Sequence, residues 1–403
     1  MGRFLAVILV MCWGAVAQAQ ELTGLARVDA DGSALRDVEG GTELVLALSQ
    51  PVPWRVFTLD APRRLVLDFS VVDWTGLAPD FGASAAVQSV RMGAFRPGWS
   101  RMVLHLAAPV QVVEAGMATD QGAAVVTVRL APVAAETFAA AAGAPDSALF
   151  DLPVPAADLV PPHRRQDGTR PVVVVLDPGH GGIDPGAEND GVIEADLMLQ
   201  FARELREVLL RTGGFEVFLT RDDDIFVPLE MRISLARMAG ADVFLSLHAD
   251  ALAEGRARGA TVYTLSDTAS DIASEKLAER HDRADLLAGV DLTDHDDRVA
   301  NVLMELARAE TAPRAKRLAD ALVAGLGNSV GDLYKRPRLE ASFSVLKAAD
   351  IPSVLIELGY LSSERDRENL LDADWRAKAA AGIRDALVAW AAADAAEAGL
   401  LRQ

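Results

Sequence analysis

Five consecutive apolar residues, Val172-Val173-Val174-Val175-Leu176, run directly into the turn Asp177-Pro178-Gly179-His180-Gly181-Gly182. An apolar run without polar alternation reads as a strand buried on both faces, and such strands belong to parallel sheets covered by helices. The sequence beyond it alternates strand and helix signals. Asp196 to Arg211 is amphipathic and closes on Gly213-Gly214. Phe215 to Thr220 reads as a strand, and Pro228 opens a helix running to Met238. Val243 to Leu247 and Thr261 to Leu265 are strands, residues 268–330 are charge-rich and helical, Phe343 to Leu346 and Val354 to Glu357 return to strand, and Trp375 to Ala391 closes the domain as a helix. Residues 171–403 are therefore predicted to be an α/β domain, a twisted and largely parallel sheet flanked by helices.

The rest of the chain is organised differently. At 403 residues the protein is too long for one ordinary domain. Residues 20–132 look all-β, with short apolar runs at Glu43 to Leu48, Arg64 to Phe69, Val87 to Met92, Arg101 to Leu106 and Ala124 to Leu130. Gly40-Gly41, Pro51, Pro62, Pro97-Gly98 and Pro109 punctuate them, which predicts a small β-sandwich. His105 lies within an apolar run and reads as a core or surface histidine. Residues 133–170 are Ala- and Pro-rich without a period and read as an extended linker. Residues 1–19 combine Arg3, the apolar run Phe4 to Trp13, and small residues at Ala15, Ala17 and Ala19, the pattern of a secretory signal peptide cleaved after Ala19, with Ala17 as the alternative site. Its apolar run is too short to remain as a transmembrane span. The one cysteine, Cys12, lies inside it, so the mature chain is expected to use neither disulfides nor thiol chemistry. The net charge of −19, with Lys and Arg scattered among acids, excludes nucleic acid as a partner class.

Polar residues recur where the predicted strands end. His180 follows the first strand, His248 ends Val243 to Leu247, and Glu357 ends the strand starting at Val354. Glu194 opens the helix after the first strand and loop. Ligands of α/β sheets sit at the carboxyl ends of strands. A lone histidine there is more often structural; two, with two glutamates at the same rim, make a set. Two histidines and one carboxylate suit a catalytic zinc with an open position, and a further carboxylate is needed to move the proton. Glu357 lies between Val354-Leu355-Ile356 and Leu358-Gly359, a dry setting for that role. A His-Glu-x-x-His pattern, a phosphate-binding glycine loop and a nucleophile elbow around Ser246 are all missing from the sequence.

The segments Leu176 to Ala187, Ser246-Leu247-His248-Ala249-Asp250-Ala251 and Pro352 to Tyr360 resemble the zinc-dependent N-acetylmuramoyl-L-alanine amidases, of the Gram-negative cell-division type. The resemblance runs from about Pro171 to the last helix. It implies one zinc per chain held by His180, Glu194 and His248, with Glu357 as the catalytic glutamate. Ala195 stands where the family usually has Lys, and Asp250 where Asn is common. The N-terminal β region resembles the AMIN domain, a peptidoglycan-binding module. The implied function is cleavage of the muramoyl–L-alanine amide in the periplasm during daughter-cell separation, with a periplasmic activator protein as partner. A zinc peptidase acting within the stem peptide and a non-catalytic wall-binding protein are the alternatives. Related amidases carry a helix that blocks the zinc, and the insertion at about 266–310 is compatible with one. Thr268-Ala269-Ser270-Asp271 offers capping residues, and Glu275 and Glu279 lie one turn apart as candidate blocking carboxylates, with the acidic run Asp282 to Asp297 as a fallback.

Overall fold

The computed structural model describes residues 26–400, apart from 71, 97–98, 121, 145–164, 252–256, 289–297 and 349. The expected signal peptide, with Cys12, lies outside the described residues, as does His163 of the expected linker.

Among the described residues the first unit has nine strands: β1 (Ala26–Val38), β2 (Gly41–Leu48), β3 (Trp54–Leu59), β4 (Arg64–Ser70), β5 (Val72–Asp73), β6 (Val87–Arg96), β7 (Trp99–Leu106), β8 (Val110–Asp120) and β9 (Ala123–Pro132). They form one sheet in the order β5-β1-β2-β9-β8 and another in the order β3-β4-β7-β6. Alternate residues of each sheet meet in a shared core, with Leu44, Leu46 and Val128 facing Leu65, Leu67 and Leu104. The all-β sandwich expected from the sequence is present. It extends further than expected, because α1 (Ala135–Ala141) buries Phe138 in the same core. Arg165 and Gln166 bond to Asp394 of the last helix.

The second unit begins with β10 (Val172–Pro178), a short hairpin of β11 (Glu188–Asn189) and β12 (Val192–Ile193), then α2 (Glu194–Thr212) and β13 (Phe215–Leu219). It continues through α3 (Leu229–Met238), β14 (Val243–His248), β15 (Ala260–Leu265), α4 (Ile272–Ala288), α5 (Arg298–Ser329), β16 (Leu333–Ala341), β17 (Ser353–Glu357), α6 (Glu364–Leu371) and α7 (Ala373–Leu400). The main sheet runs β13-β10-β14-β17-β15-β16 and is parallel except where β15 meets β17. α2, α5 and α7 pack on one face through Leu205, Leu322, Ile383 and Leu387. Among the described residues no helix is long and apolar enough to cross a membrane.

Two local expectations are corrected. Phe343 to Leu346 is not a strand: Ser344–Leu346 is a single buried 3-10 turn, and a four-residue apolar run carries too little periodicity to tell the two apart. The stretch 268–330 divides into α4 and α5 and is followed by a strand that the sequence disguised. β16 lies at the sheet edge and carries Lys335, Arg336, Pro337 and Arg338, residues typical of edges and atypical of strands in general.

The register places the chemistry. His248 pairs with Glu357 and Leu247 with Ile356, so both polar residues end adjacent parallel strands. One residue before the first turn, Asp177 has no solvent exposure. It accepts bonds from Thr220 Oγ1 (2.6 Å), Arg232 Nη1 (2.7 Å) and Ser246 Oγ (2.7 Å), tying β10 to three neighbouring elements. Burial would raise this carboxyl, but Arg232 and the two hydroxyls hold it below its usual range. Asp177→Ala would leave the Arg232 guanidinium buried without its carboxylate, and we expect a loss of about 3–5 kcal/mol in chemical denaturation.

Candidate metal centre

The loop after β10 is held by its carbonyls. Arg232 donates to the carbonyls of Pro178 (2.8 Å) and His180 (2.8 Å), and Arg221 to those of Pro178 (3.0 Å) and Gly179 (2.8 Å). Both arginines are buried. His180 is thereby fixed with a φ of 59°, which few non-glycine residues adopt. Two glycines make room for its neighbours. A Cβ at Gly179 would lie 2.2 Å from His248 Cε1, and one at Gly186, where φ is +69°, would lie 2.6 Å from both Glu194 Oε2 and His180 Cδ2.

Glu194 is the first residue of α2 and is fully buried. Its carboxylate accepts from the amides of Ala187 (2.8 Å) and Ala249 (2.9 Å). Its Oε1 lies 3.1 Å from His248 Nδ1 and 3.4 Å from His180 Nε2. Asp184 Oδ2 lies 2.8 Å from His180 Nδ1, the kind of carboxylate backing that orients a ligating imidazole. Glu357, at the end of β17, accepts from the Asp250 amide through Oε2 (3.0 Å). Its other oxygen is 3.6 Å from His281 Nε2.

His281 was not singled out by the sequence. It comes from α4, with its ring centroid 4.2 Å from that of His248 and 5.7 Å from that of His180. The donor nitrogens of His180, His248 and His281 all lie within 4.8 Å of one another. Three buried atoms here have no hydrogen-bond partner: His180 Nε2, His281 Nε2 and Glu357 Oε1. Buried polar atoms are ordinarily satisfied, so orphans converging beside a buried carboxylate fit a cation. Imidazole and carboxylate donors in this number suit a four-coordinate zinc.

These buried groups perturb one another strongly. Burial opposes charge on His180, yet Glu194 and Asp184 hold its imidazole well above the usual range. Burial likewise opposes charge on Glu194, and His180 and His248 hold its carboxyl well below. Glu357 is pushed well above its usual range by burial and then by Glu194 and Asp250. Asp250 is lifted to about 6 by burial and Glu194, against Arg280. Burial, then His248 and His180, push His281 well below its usual range.

The four residues read from strand and helix ends, His180, Glu194, His248 and Glu357, are thus brought together. Glu275 and Glu279 are not among them. Both are exposed on α4, although Glu279 lines the outer cavity. Among the described side chains of α4 the buried ones are Ser274, Leu277, Ala278 and His281, so in this part of the helix the face toward the centre is largely apolar. A histidine three residues beyond Ala278 on that face was the available signal. α4 is held down by Arg280, which bonds Asp250 (2.9 Å), and by Leu277, which packs with Phe343 and Leu346. Asp271 caps it by accepting from the Ser274 amide (2.9 Å). The acidic run Asp282 to Asp297 has its side chains outside the described residues. Above the donors lies a cavity of about 600 Å³, lined by Asp184, Lys276 and Arg280 and by Arg64 and His105 of the sandwich.

A family profile described as N-acetylmuramoyl-L-alanine amidase matches residues 174–389, and one described as AMIN domain matches residues 34–128. The chain is 31% identical over 354 residues to N-acetylmuramoyl-L-alanine amidase AmiC of Escherichia coli O6:H1, covering 85% of this chain and 84% of that protein. This chain belongs to the N-acetylmuramoyl-L-alanine amidase family. AmiC of Neisseria meningitidis serogroup B is 32% identical to this amidase over 368 residues, covering 85% of each. AmiA of Escherichia coli K12 is 37% identical over 232 residues, covering 57% of this chain and 79% of that protein.

At Gly186 a positive φ adds to the steric constraint on the amidase centre, because both Glu194 and His180 lie against it. Gly186→Ala should lower activity by about 10²-fold or more, the scale set by displacing a reacting group by an ångström, with the far-UV circular dichroism unchanged.

Proposed function

We propose that this amidase is a zinc hydrolase of the periplasm that cuts the amide joining the lactyl group of N-acetylmuramic acid to L-alanine in peptidoglycan, and that its insertion helix keeps it blocked at rest. The clustering of three buried atoms without hydrogen-bond partners, His180 Nε2, His281 Nε2 and Glu357 Oε1, supports both parts of the reading. His180, Glu194 and His248 would hold the zinc, since all three come from rigid element ends or from the loop pinned by Arg221 and Arg232. Zinc bound there supplies Lewis acidity and acidifies water. Glu357 would take a proton and return it to the leaving amine, and its dry, acid-flanked position supports that role. Asp184 keeps the His180 ring in place.

His281 is the blocking group in this reading, in place of Glu275 or Glu279. Its nitrogen lies among the donor atoms and would compete for the open coordination position, and its tether on α4 gives it a high local concentration without a tight intrinsic bond. Arg280 and Asp250 latch the helix. An activator relieves the block only by binding the undocked helix better than the docked one. The N-terminal segment would direct export, and the AMIN sandwich would hold the enzyme on its polymer.

Two measurements test this. Metal analysis of the purified chain should find one zinc; His180→Ala and His248→Ala should lose it, whereas Glu357→Gln should keep it and lose about 10²–10⁴-fold in amide cleavage. Full zinc in both histidine variants would refute the ligand set. Dye release from labelled peptidoglycan should rise with His281→Ala and stay near the parent value with Glu275→Ala or Glu279→Ala. A folded, zinc-loaded His281→Ala protein no more active than the parent would end the blocking role.

A further inference from the structure

In a two-layer sandwich the outward faces are wet, and strands alternate between buried and exposed residues. β9 obeys this: Ala124, Val126, Val128 and Leu130 are buried, and the residues between them are exposed or half-buried. β4 does not, being buried at every position from Arg64 to Phe69. Leu65, Leu67 and Phe69 belong to the sandwich core, whereas Val66 belongs to a separate apolar cluster on the opposite face. β7 repeats the pattern, with Met102 and Leu104 in the core and Val103 in the other cluster. Asp68 and Arg101 pair on this outer face (2.8 Å) with no exposure, and the Arg101 guanidinium lies 4.2 Å from the Phe95 ring centre.

An outer face this dry is covered, and the cover is the catalytic unit. Ile183, fully buried, and Phe226 complete the cluster of Phe57, Leu59, Val66, Phe95 and Val103. Arg91 of β6 donates to the Gly182 carbonyl (3.1 Å) and lies 3.5 Å from Glu188. Ile183 sits in a tight turn in which the Gly181 amide donates to the Asp184 carbonyl (2.7 Å) and the Asp184 amide to that of Gly181 (3.1 Å). That turn joins His180 to its supporting carboxylate Asp184. Arg64 and His105, on the same two sandwich strands, line the cavity over the donors.

We propose that the outer face of the β3-β4-β7-β6 sheet is a docking surface for the His180 loop, so that the sandwich is a fixed wall of the substrate cleft and not only an anchor on the polymer. Ile183 is the knob and the sandwich the socket. The socket restrains the loop three residues from His180, and Ile183 acts as a positioning residue through it. No residue of α4 takes part in the described cluster, so moving α4 opens the cleft against a wall that stays in place.

The two roles separate by substrate. An anchor matters only on insoluble wall, whereas a cleft wall also matters on a soluble muropeptide held by one active site. The test uses the full chain, with and without His281→Ala. Phe57→Asp disturbs the socket from the sandwich side, outside the sandwich's own core. It should lower kcat/KM on the soluble muropeptide by about 10-fold or more, through a misplaced loop. It should also speed amide hydrogen exchange across residues 181–186. Phe57→Leu should restore both, and Val113→Asp, at an exposed position of β8, should change neither. Unchanged exchange and unchanged soluble turnover in folded Phe57→Asp would overturn the proposal, as would a loss confined to insoluble wall. Exchange reports docking without metal or turnover, so a failure of the hydrolase reading would remain distinguishable from a failure of this one.

Discussion

Two glutamates without solvent exposure, Glu194 and Glu357, share one end of a sheet with three imidazoles, and that concentration of buried titratable groups is the constraint everything else accommodates. Isolated buried charge is expensive, and it persists only when paired or bound to a cation. Glu194 meets part of that cost with two backbone amides and the flanking imidazoles. Glu357 meets less of it, with one amide and an orphaned oxygen. A divalent ion held by His180, Glu194 and His248 would satisfy the orphaned His180 nitrogen and set a positive charge near the orphaned atoms of His281 and Glu357. The fold's glycines, the positive φ of His180 and the arginines that bind loop carbonyls are all explained as what is needed to bring these groups so close.

The same crowding accounts for how the centre is covered. Its donors face a cavity, and a cavity with unsatisfied nitrogen and oxygen atoms attracts any donor tethered nearby. α4 supplies His281 on one side, seated by Leu277 against Phe343 and latched by Arg280 on Asp250. The sandwich closes another side through Ile183. The Asp250 carboxylate, which stands where the family commonly has Asn, becomes intelligible here, since only a carboxylate pairs ionically with Arg280. One substitution in a motif and one basic residue in the insertion form a single contact.

Much of this was legible in the sequence because the signals were local. Val172 to Leu176 could only be a strand buried on both faces, and His180, His248 and Glu357 follow strands whose parallel order brings their carboxyl ends together. Glu194 was legible as the first residue of an amphipathic helix. What was hidden depends on packing. His281 lies on the apolar face of a helix rich in acids, whose exposed Glu275 and Glu279 are the more conspicuous metal-seeking groups. β16 was masked by its edge charges. The dry outer face of β4 carries Arg64 and Asp68, which make the run Leu65-Val66-Leu67 look like an ordinary half-wet strand, and their burial becomes visible only when a second domain covers them.

A zinc held by His180, Glu194 and His248 would take His281 as a further ligand at rest. X-ray absorption at the zinc edge, on the zinc-loaded full chain, counts imidazoles around the ion directly. We expect three imidazoles in the resting protein and two after His281→Ala. Two imidazoles in the resting protein, with a spectrum unchanged by that substitution, would contradict that expectation.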